Sequence, residues 1–359
     1  WETTEQYNVG LDLGLLDNRL NMTLDLYYKN TKDLLQQISI PPSTGFSSMW
    51  INRGNIENRG VEFSVDAYPV DNADFTWNVN ANISFNRNKI GSIGLPAASH
   101  GNIFASAFEG EEISNTSDYF KMPANIFIEG RPAGLFYGFR TNGIVTQEAI
   151  DKGLVPTYRG QQLQPGDIWY LDTDGSGNVD DMDKEVIGDP NPSFTYGFST
   201  SFRWKSLSLS MMFDGVYGNQ IANGNLLPET NTSPTGNNLH NVRTEAYLGA
   251  WSESNQDARY PRLNRTAGQT KDFTDRILEN GSYMRLSAVT LSYQFNFKRT
   301  SVVKNLGLSF TVRNAFTWSS YSGWDPEVSS FTNNALKVGV DWSSYPSSRA
   351  YVCGITMTF

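Results

Sequence analysis

The last nine residues of the chain, 351–359, alternate strictly between two kinds of side chain. One set is apolar and includes the final residue, whereas the intervening positions are small or polar. The apolar set is Tyr351, Cys353, Ile355, Met357 and Phe359. A period of two predicts a β-strand with two different faces. A strand whose apolar face continues to the last residue is typical of an outer-membrane barrel and unusual in a soluble protein.

The same alternation recurs upstream in pairs of segments that are separated by short polar turns. The pairs are 9–15 with 20–28, 61–67 with 75–85, 194–204 with 207–213, and 289–295 with 306–312. Segment 75–85 keeps its phase over eleven residues, which is the length that crosses an outer membrane at a tilt. Together with the terminal segment, the pattern predicts about ten strands.

Long segments rich in Asn, Ser, Gly and Pro lie between the paired strands, at 86–130, 218–280 and 319–348. Short turns at one end and long loops at the other predict an all-β fold, a transmembrane antiparallel β-barrel. The alternative is a large soluble β-sandwich or propeller, although such folds usually have shorter strands and loops. Aromatic residues near the strand ends are expected in the interfacial girdles: Tyr28, Tyr68, Trp77 and Trp204.

Composition narrows the class of protein further. The chain has 28 Lys and Arg against 37 Asp and Glu, a net charge of −9, which argues against nucleic-acid binding. No stretch of 18 apolar residues is present, so no transmembrane helix is predicted. The single cysteine, Cys353, is expected to contact lipid or packed side chains. Because Trp1 directly precedes a strand and no signal peptide is visible, the chain is expected to begin inside a larger protein.

Six sequence motifs resemble those of one family and occur in the same order along the chain. They are NRGNIENRGVEFSV at 52–65, PGDIWYLDTDGSGNVDDMDKEVIGDPNPSFTYGF at 165–198, RYPRL at 259–263, GSYMRLSAVTLSY at 281–293, RNAFTWSSYSGWDPEV at 313–328 and SSYPSSRAYVCGITMTF at 343–359. This chain resembles the C-terminal half of SusC/RagA-type TonB-dependent outer-membrane transporters over nearly its whole length.

The resemblance implies a 22-stranded barrel with an N-terminal plug that imports oligosaccharides or peptides across the outer membrane. It also implies a SusD-like surface lipoprotein as a lid, energy from TonB-ExbB-ExbD, contact with outer-membrane lipids, and a dimer of transporter and lid pairs. Residues 1–359 would form the C-terminal half of the barrel. The plug, the TonB box and the N-terminal strands are absent from this sequence.

Two rival functions stay open at this stage. A stand-alone siderophore or cobalamin receptor would lack the lid and carry charged loops, whereas these loops are neutral, Asn-rich and aromatic. A soluble calcium-dependent carbohydrate-binding β-module would bury its apolar strand faces in a core. An enzyme is not expected, because His100 and His240 lie in loop-like segments without a neighbouring nucleophile or acid arrangement.

The segment DTDGSGNVDDMD at 172–183 fits the template of a calcium loop. It places oxygen ligands at positions 1, 3 and 5, Gly at position 6 and a carboxylate at position 12. The candidate ligands of a structural Ca²⁺ are Asp172, Asp174, Ser176, Asn178, Asp180 and Asp183. Position 12 is Asp rather than Glu, and no helices are predicted at its flanks. The alternative is a cluster of Asx turns whose carboxylates are satisfied by the loop's own amides.

Ligand contacts are expected from two groups of residues. Loop aromatics could stack on sugar rings or pack against the lid, although packing of the loops against each other is the alternative for each of them. They are Trp50, Tyr119, Phe120, Trp251, Tyr260, Trp324 and Tyr345. Polar residues of one strand, Asn78, Asn80 and Asn82, could hydrogen-bond to hydroxyls in the lumen.

Overall fold

The computed structural model describes residues 1–39, 42–93, 102–104, 124–230, 241–263, 269, 272–297, 302–328, 330 and 338–359. The first strands are β1 (Thr3–Leu15), β2 (Leu20–Lys32), β3 (Leu35–Ser39), β4 (Ser48–Asn52), β5 (Asn55–Asp71) and β6 (Phe75–Ser92). Short strands follow: β7 (Asn102–Phe104), β8 (Asn125–Ile128), β9 (Leu135–Gly138), β10 (Thr141–Ile144), β11 (Thr157–Tyr158), β12 (Ile168–Tyr170), β13 (Asn178–Val179) and β14 (Glu185–Gly188). The last are β15 (Phe194–Trp204), β16 (Leu207–Tyr217), β17 (Gln220–Asn223), β18 (Leu278–Asn280), β19 (Tyr283–Asn296), β20 (Asn305–Ser319), β21 (Val340–Asp341) and β22 (Ala350–Thr358).

Helices are few and short in the described part of the chain. They are α1 (Gln147–Asp151), α2 (Leu226–Thr230) and α3 (Thr244–Leu248), with 3₁₀ turns at Pro42–Thr44, Asp181–Asp183 and Asp275–Ile277. Thr146 caps α1, because its side chain accepts a hydrogen bond from the Ala149 amide at 3.2 Å. Among the helices of the described ranges, none has the length and hydrophobicity needed to cross a membrane.

One large antiparallel sheet contains nine of the described strands, where the alternating pattern predicted about ten. Its order is β1-β2-β5-β6-β15-β16-β19-β20-β22. Each alternating segment predicted from the sequence lies in one of these strands, except that the final Phe359 follows the end of β22. Several strands run further than the pattern indicated: β6 continues to Ser92, and β20 continues to Ser319.

The register aligns apolar side chains on one face of the sheet and polar side chains on the other. One row of the apolar face contains Leu13, Met22, Val65, Ala81, Phe198 and Phe213. The adjacent row of the polar face contains Asp12, Thr23, Ser64, Asn82, Gly197, Asp214 and Arg285. Since successive side chains point to opposite sides of a strand, this register produces two chemically different surfaces.

The connections between these strands differ in length at the two ends of the sheet. Residues 16–19, 72–74 and 205–206 make short turns at one end. At the 72–74 turn, the Asn72 side chain accepts hydrogen bonds from the amides of Asp74 and Phe75. The long connections 33–54, 93–193, 218–282 and 320–349 all lie at the opposite end. The predicted asymmetry of short turns and long loops is therefore confirmed.

Aromatic residues gather near both ends of the strands. Trp77 stacks on Phe202 at 5.8 Å near the short turns, where Trp204 also lies. Phe194 stacks on Tyr217 at 5.0 Å near the long connections. The positions of these rings match the aromatic girdles of an outer-membrane barrel.

The described residues of the long connections 93–193, 218–282 and 320–349 are folded, with short strands and short helices of their own. These described residues form one loop domain. We call 93–193 the first connection, 218–282 the second connection and 320–349 the third connection. One core combines side chains of all three connections: Ala124, Phe136, Ile187, Ala222, Leu227, Phe273, Ile277 and Val340. A second core lies within the first connection: Phe139, Val145, Tyr158, Leu163, Ile168, Tyr170 and Val179. Small sheets, β14-β9-β8-β7 and β18-β17-β21, join the segments.

Candidate functional site

The loop domain contacts the polar face of the sheet. Asn88 in β6 donates from Nδ2 to Asn191 Oδ1 at 2.7 Å, and its own Oδ1 accepts from the Ala133 amide at 2.7 Å. Asn191 in turn donates to the Ala133 carbonyl at 2.9 Å. These bonds hold the first connection over the polar side of the sheet rather than away from it.

A buried ion pair fixes the third connection to the same face. Arg285 in β19 pairs with Asp325 at 2.5 Å and also with Glu327. The side chains of Arg285 and Asp325 are only 5% and 7% exposed. The guanidinium also lies 5.2 Å from the ring centre of Tyr283. Buried charges of this kind are stable when paired and costly when one partner is lost.

The Asp325 carboxyl is held in its ionised form. Burial on its own would raise the pKa of Asp325. Hydrogen bonds from Ser347 and from the Glu327 amide, together with the Arg285 charge, outweigh burial and hold the pKa below its ordinary value. The carboxylate is therefore a stable partner for Arg285 at neutral pH.

A cavity of about 510 Å³ opens beside this pair on the polar face. Its lining includes Asn82, Tyr196, Asp214, Tyr283, Arg285 and Glu327. Donors, acceptors and aromatic rings are mixed at this polar-face cavity. Such a lining suits a ligand that is rich in hydroxyl or peptide groups.

A second cavity, of about 530 Å³, lies within the loop domain. Its lining includes Arg243, Glu245, Arg259, Tyr260, Arg276 and Glu279. The Tyr260 hydroxyl donates to Glu245 at 3.3 Å, and Arg276 donates to the Arg259 carbonyl at 2.6 Å. Burial lowers the pKa of the Arg276 guanidinium. Among the described residues of this lining, three arginines are balanced by three acidic residues, so neither sign of charge dominates the loop-domain cavity.

The predicted ligand-contacting residues differ in their exposure and in their position relative to the two cavities. Trp50, Trp324 and Tyr345 are 61%, 81% and 93% exposed, so they are not packing the loops together. Trp251 is half-buried, and its ring lies against Gly166. Tyr260 lines the loop-domain cavity. Tyr119, Phe120, His100 and His240 lie outside the described residues.

The three predicted lumen asparagines share the polar face of β6. Asn82 lines the polar-face cavity. Asn78 donates to Asp66 at 3.2 Å, and Asn80 lies opposite the same aspartate in the register. Of the three, Asn82 is therefore the residue best placed to contact a ligand.

Three of the six candidate calcium ligands converge. One carboxylate oxygen from each of Asp172, Asp174 and Asp183 lies within 4.8 Å of the others. Asp183 is buried and accepts from the Thr173 and Asp180 amides at 2.7 and 2.8 Å. A 3₁₀ turn with a capping box, Asp181–Asp183, closes this Asp-rich loop.

The other three candidate ligands make hydrogen bonds elsewhere. The Ser176 hydroxyl donates to the Asn178 carbonyl at 3.0 Å. The Asn178 side-chain oxygen accepts from the Gly160 amide at 2.7 Å, and Asp180 accepts from the Met182 amide at 2.9 Å. These bonds tie the loop to residues 157–160 and stabilise its turn.

The loop's own amides also approach the converging carboxylates. Asp172 accepts from the amides of Gly175, Ser176 and Gly177, and both glycines have positive φ, at +74° and +82°. The Ser176 amide lowers the pKa of the Asp174 carboxyl. Three ionised carboxylates at this separation repel each other, and hard oxygen ligands are those that Ca²⁺ prefers. The donor set therefore fits a calcium ion as well as an amide-supported Asx cluster.

The buried charged residues that fix the loop domain were not predicted from the sequence. Arg285 pairs with Asp325, and Arg262 pairs with Asp167 at 2.8 Å. The available signal was the family resemblance, because the motifs that carry it include Arg262, Arg285 and Asp325. Their pairing could not be predicted, because the partners are 40 and 95 residues apart.

A third buried group supports the second core. The Tyr158 hydroxyl donates to Asp272 at 2.7 Å, across 114 residues of sequence. Burial raises the pKa of the Asp272 carboxyl, and burial together with the Asp272 charge raises the pKa of Tyr158. This pair joins the first and second connections.

A two-faced antiparallel sheet, with short turns at one end and a folded loop domain at the other, defines the wall of a transmembrane β-barrel. The family described as TonB dependent receptor-like, beta-barrel matches residues 1–209. The chain belongs to this family and is of the SusC/RagA type, so it is part of an integral β-barrel of the outer membrane. The alternative of a soluble β-module is wrong.

The alignments with similar proteins extend over the whole chain. It is 32% identical to TonB-dependent receptor P3 of Formosa agariphila and 30% identical to TonB-dependent receptor SusC of Bacteroides thetaiotaomicron. It covers 34% and 32% of those relatives, about a third of their length. The solved structure of the RagAB peptide transporter aligns over the whole chain and 36% of its own, at 25% identity and a TM-score of 0.75.

Proposed function

We propose that this chain supplies wall, lumen lining and external loops to an active outer-membrane importer of oligosaccharides or peptides. The observation that carries the proposal is the loop domain, which folds over the polar face. One polar cavity opens on that face and a second lies within the loop domain. The likeness to SusC and to the RagAB peptide transporter supports the same function.

In this proposal a ligand is held at the loop domain and then passes along the polar face. A SusD-like surface lipoprotein would close over the loop domain, and TonB-ExbB-ExbD would supply the energy for release. The whole assembly would pair as a dimer of transporter and lid units. The support for these partners is the family to which the chain belongs.

The cavities favour one ligand class over its rival. Each lining contains at least one tyrosine and charged groups of both signs. Hydroxyl and peptide groups find hydrogen-bond partners on such a surface. A stand-alone siderophore or cobalamin receptor stays the alternative, and a highly charged chelate would meet charges of its own sign in either cavity.

Uptake by cells that express the full-length transporter tests the proposal. The variant Tyr260→Ala removes a ring from the loop-domain cavity, and Tyr247→Ala is the matched control, because Tyr247 is exposed and not part of that lining. We expect Tyr260→Ala to raise the half-saturating concentration of a labelled oligosaccharide or peptide about tenfold, about 1.4 kcal/mol. The control should stay within about twofold, about 0.4 kcal/mol.

Deletion of two partners separates the alternatives. Loss of TonB should abolish uptake, and uptake that continues at full rate would contradict active transport. Loss of the lipoprotein should weaken uptake of dilute ligand. If a siderophore or cobalamin is taken up instead, independently of any lipoprotein, the stand-alone receptor is the correct function.

We also propose that the Asp-rich loop holds a structural Ca²⁺ through Asp172, Asp174 and Asp183. The support is the convergence of their oxygens within 4.8 Å. The ion would neutralise three like charges and rigidify an external loop. Calcium titration of the full-length protein should raise its thermal midpoint, because a ligand that binds only the folded state stabilises it.

Two single variants make the calcium test specific. Asp174→Asn removes an exposed candidate ligand, whereas Asp181→Asn removes an exposed carboxylate outside the converging group. The first should abolish the calcium-dependent shift, and the second should preserve it. If the thermal midpoint of the wild-type protein does not change with calcium, the loop's own amides alone stabilise the Asp-rich loop.

A further inference from the structure

Basic side chains cluster on the apolar face at the end of the sheet that carries the long connections. Arg59 in β5 and Arg87 in β6 lie directly opposite each other in the register. Lys89 lies two residues further along β6, on the same face. All three side chains are exposed. We call Arg59, Arg87 and Lys89 the cation patch.

The face of the cation patch follows from its neighbours. Val61 and Phe85 are opposite each other and belong to the apolar face, and they precede Arg59 and Arg87 by two residues each. The intervening Asn86 points to the other side, where its side-chain oxygen accepts from the Tyr27 hydroxyl at 3.0 Å. The patch therefore continues the surface that faces lipid.

The depth of the patch places it at the membrane boundary. Two residues of a strand span roughly 7 Å, so Arg59 and Arg87 lie just beyond the last apolar row. Tyr28 is opposite Arg59 in the register, at the level where an aromatic girdle is found. Lipid headgroups and their phosphates occupy the same level.

The charges of the patch are largely uncompensated. Among the described residues, Arg59 and Lys89 form no ion pair. Arg87 donates to the carbonyls of Pro192 and Ser193, at 3.4 and 2.9 Å, which fixes its position but leaves its charge. One acid, Glu57, lies opposite Lys89. Three cations thus meet one anion on this part of the face.

The opposite end of the same face has a different character. There the apolar-face positions of β6 and β15 are Phe75, Trp77, Phe202 and Trp204. The lipid-facing surface is therefore basic at the loop end and aromatic at the turn end.

We propose that Arg59, Arg87 and Lys89 bind the phosphate groups of a lipid headgroup in the outer leaflet. Arginine binds phosphate through two parallel N–H donors, and lysine adds a compact positive charge. The inference depends on the membrane-wall fold and not on the transported ligand. Failure of the transport proposal would leave it unchanged.

The test measures retention of a bisphosphorylated glycolipid by the full-length protein in mild detergent, using native mass spectrometry. The variant Arg59→Gln/Lys89→Gln removes two charges and leaves Arg87, which is bonded to the backbone of 192–193. We expect about fivefold weaker lipid binding per charge, and about 25-fold for the double variant. Arg59→Lys/Lys89→Arg keeps the charges and should bind within about threefold of wild type.

Lys29→Gln is the matched control. Lys29 lies at the same height on β2 but belongs to the polar face, and its side chain is exposed. It should bind the lipid as wild type does. Equal loss in this control, or unchanged binding in the double variant, would overturn the proposal. Displacement of the lipid by an equal concentration of inorganic phosphate would also overturn it, because a free anion site would then account for the patch.

Discussion

A glycine beneath a tyrosine ring shows how single residues hold this sheet. Tyr27 is opposite Gly60 in the register, and a Cβ at position 60 would lie 2.4 Å from the tyrosine ring and from the Phe85 carbonyl. The Tyr27 hydroxyl donates to Asn86 at 3.0 Å. The absence of a side chain at Gly60 lets the ring cross the strand and reach its partner.

Gly60→Ala should destabilise the barrel by about 2 kcal/mol, the usual cost of forcing a methyl group into a packed site. Gly307→Ala is the matched control in the same sheet, because a Cβ there would meet its nearest neighbour at an ordinary 3.7 Å. The measurement is the thermal unfolding of the full-length protein in detergent. Equal midpoints for the two variants would contradict the close packing of Tyr27 on Gly60.

Asp325 makes the third connection sensitive to acid. Its pKa is below the ordinary carboxyl value of 3.8, so its ionised form is favoured in the folded protein. The stability that it contributes is present above that ordinary value and is lost as the pH falls through the lowered pKa. Hydrogen exchange at 338–349 should therefore accelerate below about pH 4.

The variant Asp325→Asn provides the comparison for this pH effect. It should show faster exchange at neutral pH and a weaker acid dependence, because the titrating group is gone. Hydrogen exchange at 338–349 is compared between the wild type and the variant from pH 3 to 6. If the exchange rate changes by the same factor in both proteins, carboxylates other than Asp325 control this segment.

Among the elements, the attachment of the third connection to β19 depends on one guanidinium. Arg285→Met should destabilise this attachment by about 3 kcal/mol, because Asp325 would remain buried without its partner. We expect faster hydrogen exchange at 320–328 and 338–349, with the strands themselves unchanged. Arg203→Met is the control, since Arg203 lies on the same face near the short turns and bonds only to Thr76 among the described residues. Slow exchange in both variants would contradict the role of Arg285.

The strands were predictable from the sequence because their signal is local. Period-two alternation located β15 and β16 and the two-residue turn 205–206 between them, and the same pattern located β22. The polarity of each residue on these strands indicates which face of the sheet its side chain occupies. Only the ends were misjudged, as in β6, where polar residues such as Asn88 continue the strand beneath the loop domain.

The loop domain and most of its site were not predictable in the same way. The Asp-rich loop was recognised because its carboxylates fall within twelve residues of sequence. By contrast, Asn125 donates to the Val338 carbonyl across 213 residues, and Tyr158 reaches Asp272 across 114. Contacts at such separations depend on the arrangement of three connections, which no local pattern records.

At the scale of the whole molecule, the nine-stranded sheet has two outer strands, β1 and β22, each paired on one side among the described residues. An unpaired strand edge is costly within hydrocarbon. Further strands of the 22-stranded barrel, together with the plug, are implied by the family resemblance and stay a prediction. The curated relatives that the chain matches are about three times its length.

The central claim is that the sheet is a membrane wall with its apolar face toward lipid. Single cysteines placed along β2 of the full-length protein, after removal of its own cysteines including Cys353, test this claim most directly. Cysteines at Leu24 and Leu26 on the apolar face should react with a lipid-soluble reagent, and those at Thr23 and Asp25 with a water-soluble one. Strict alternation along the strand is the expected result. Equal reaction of all four positions with the water-soluble reagent would contradict the account.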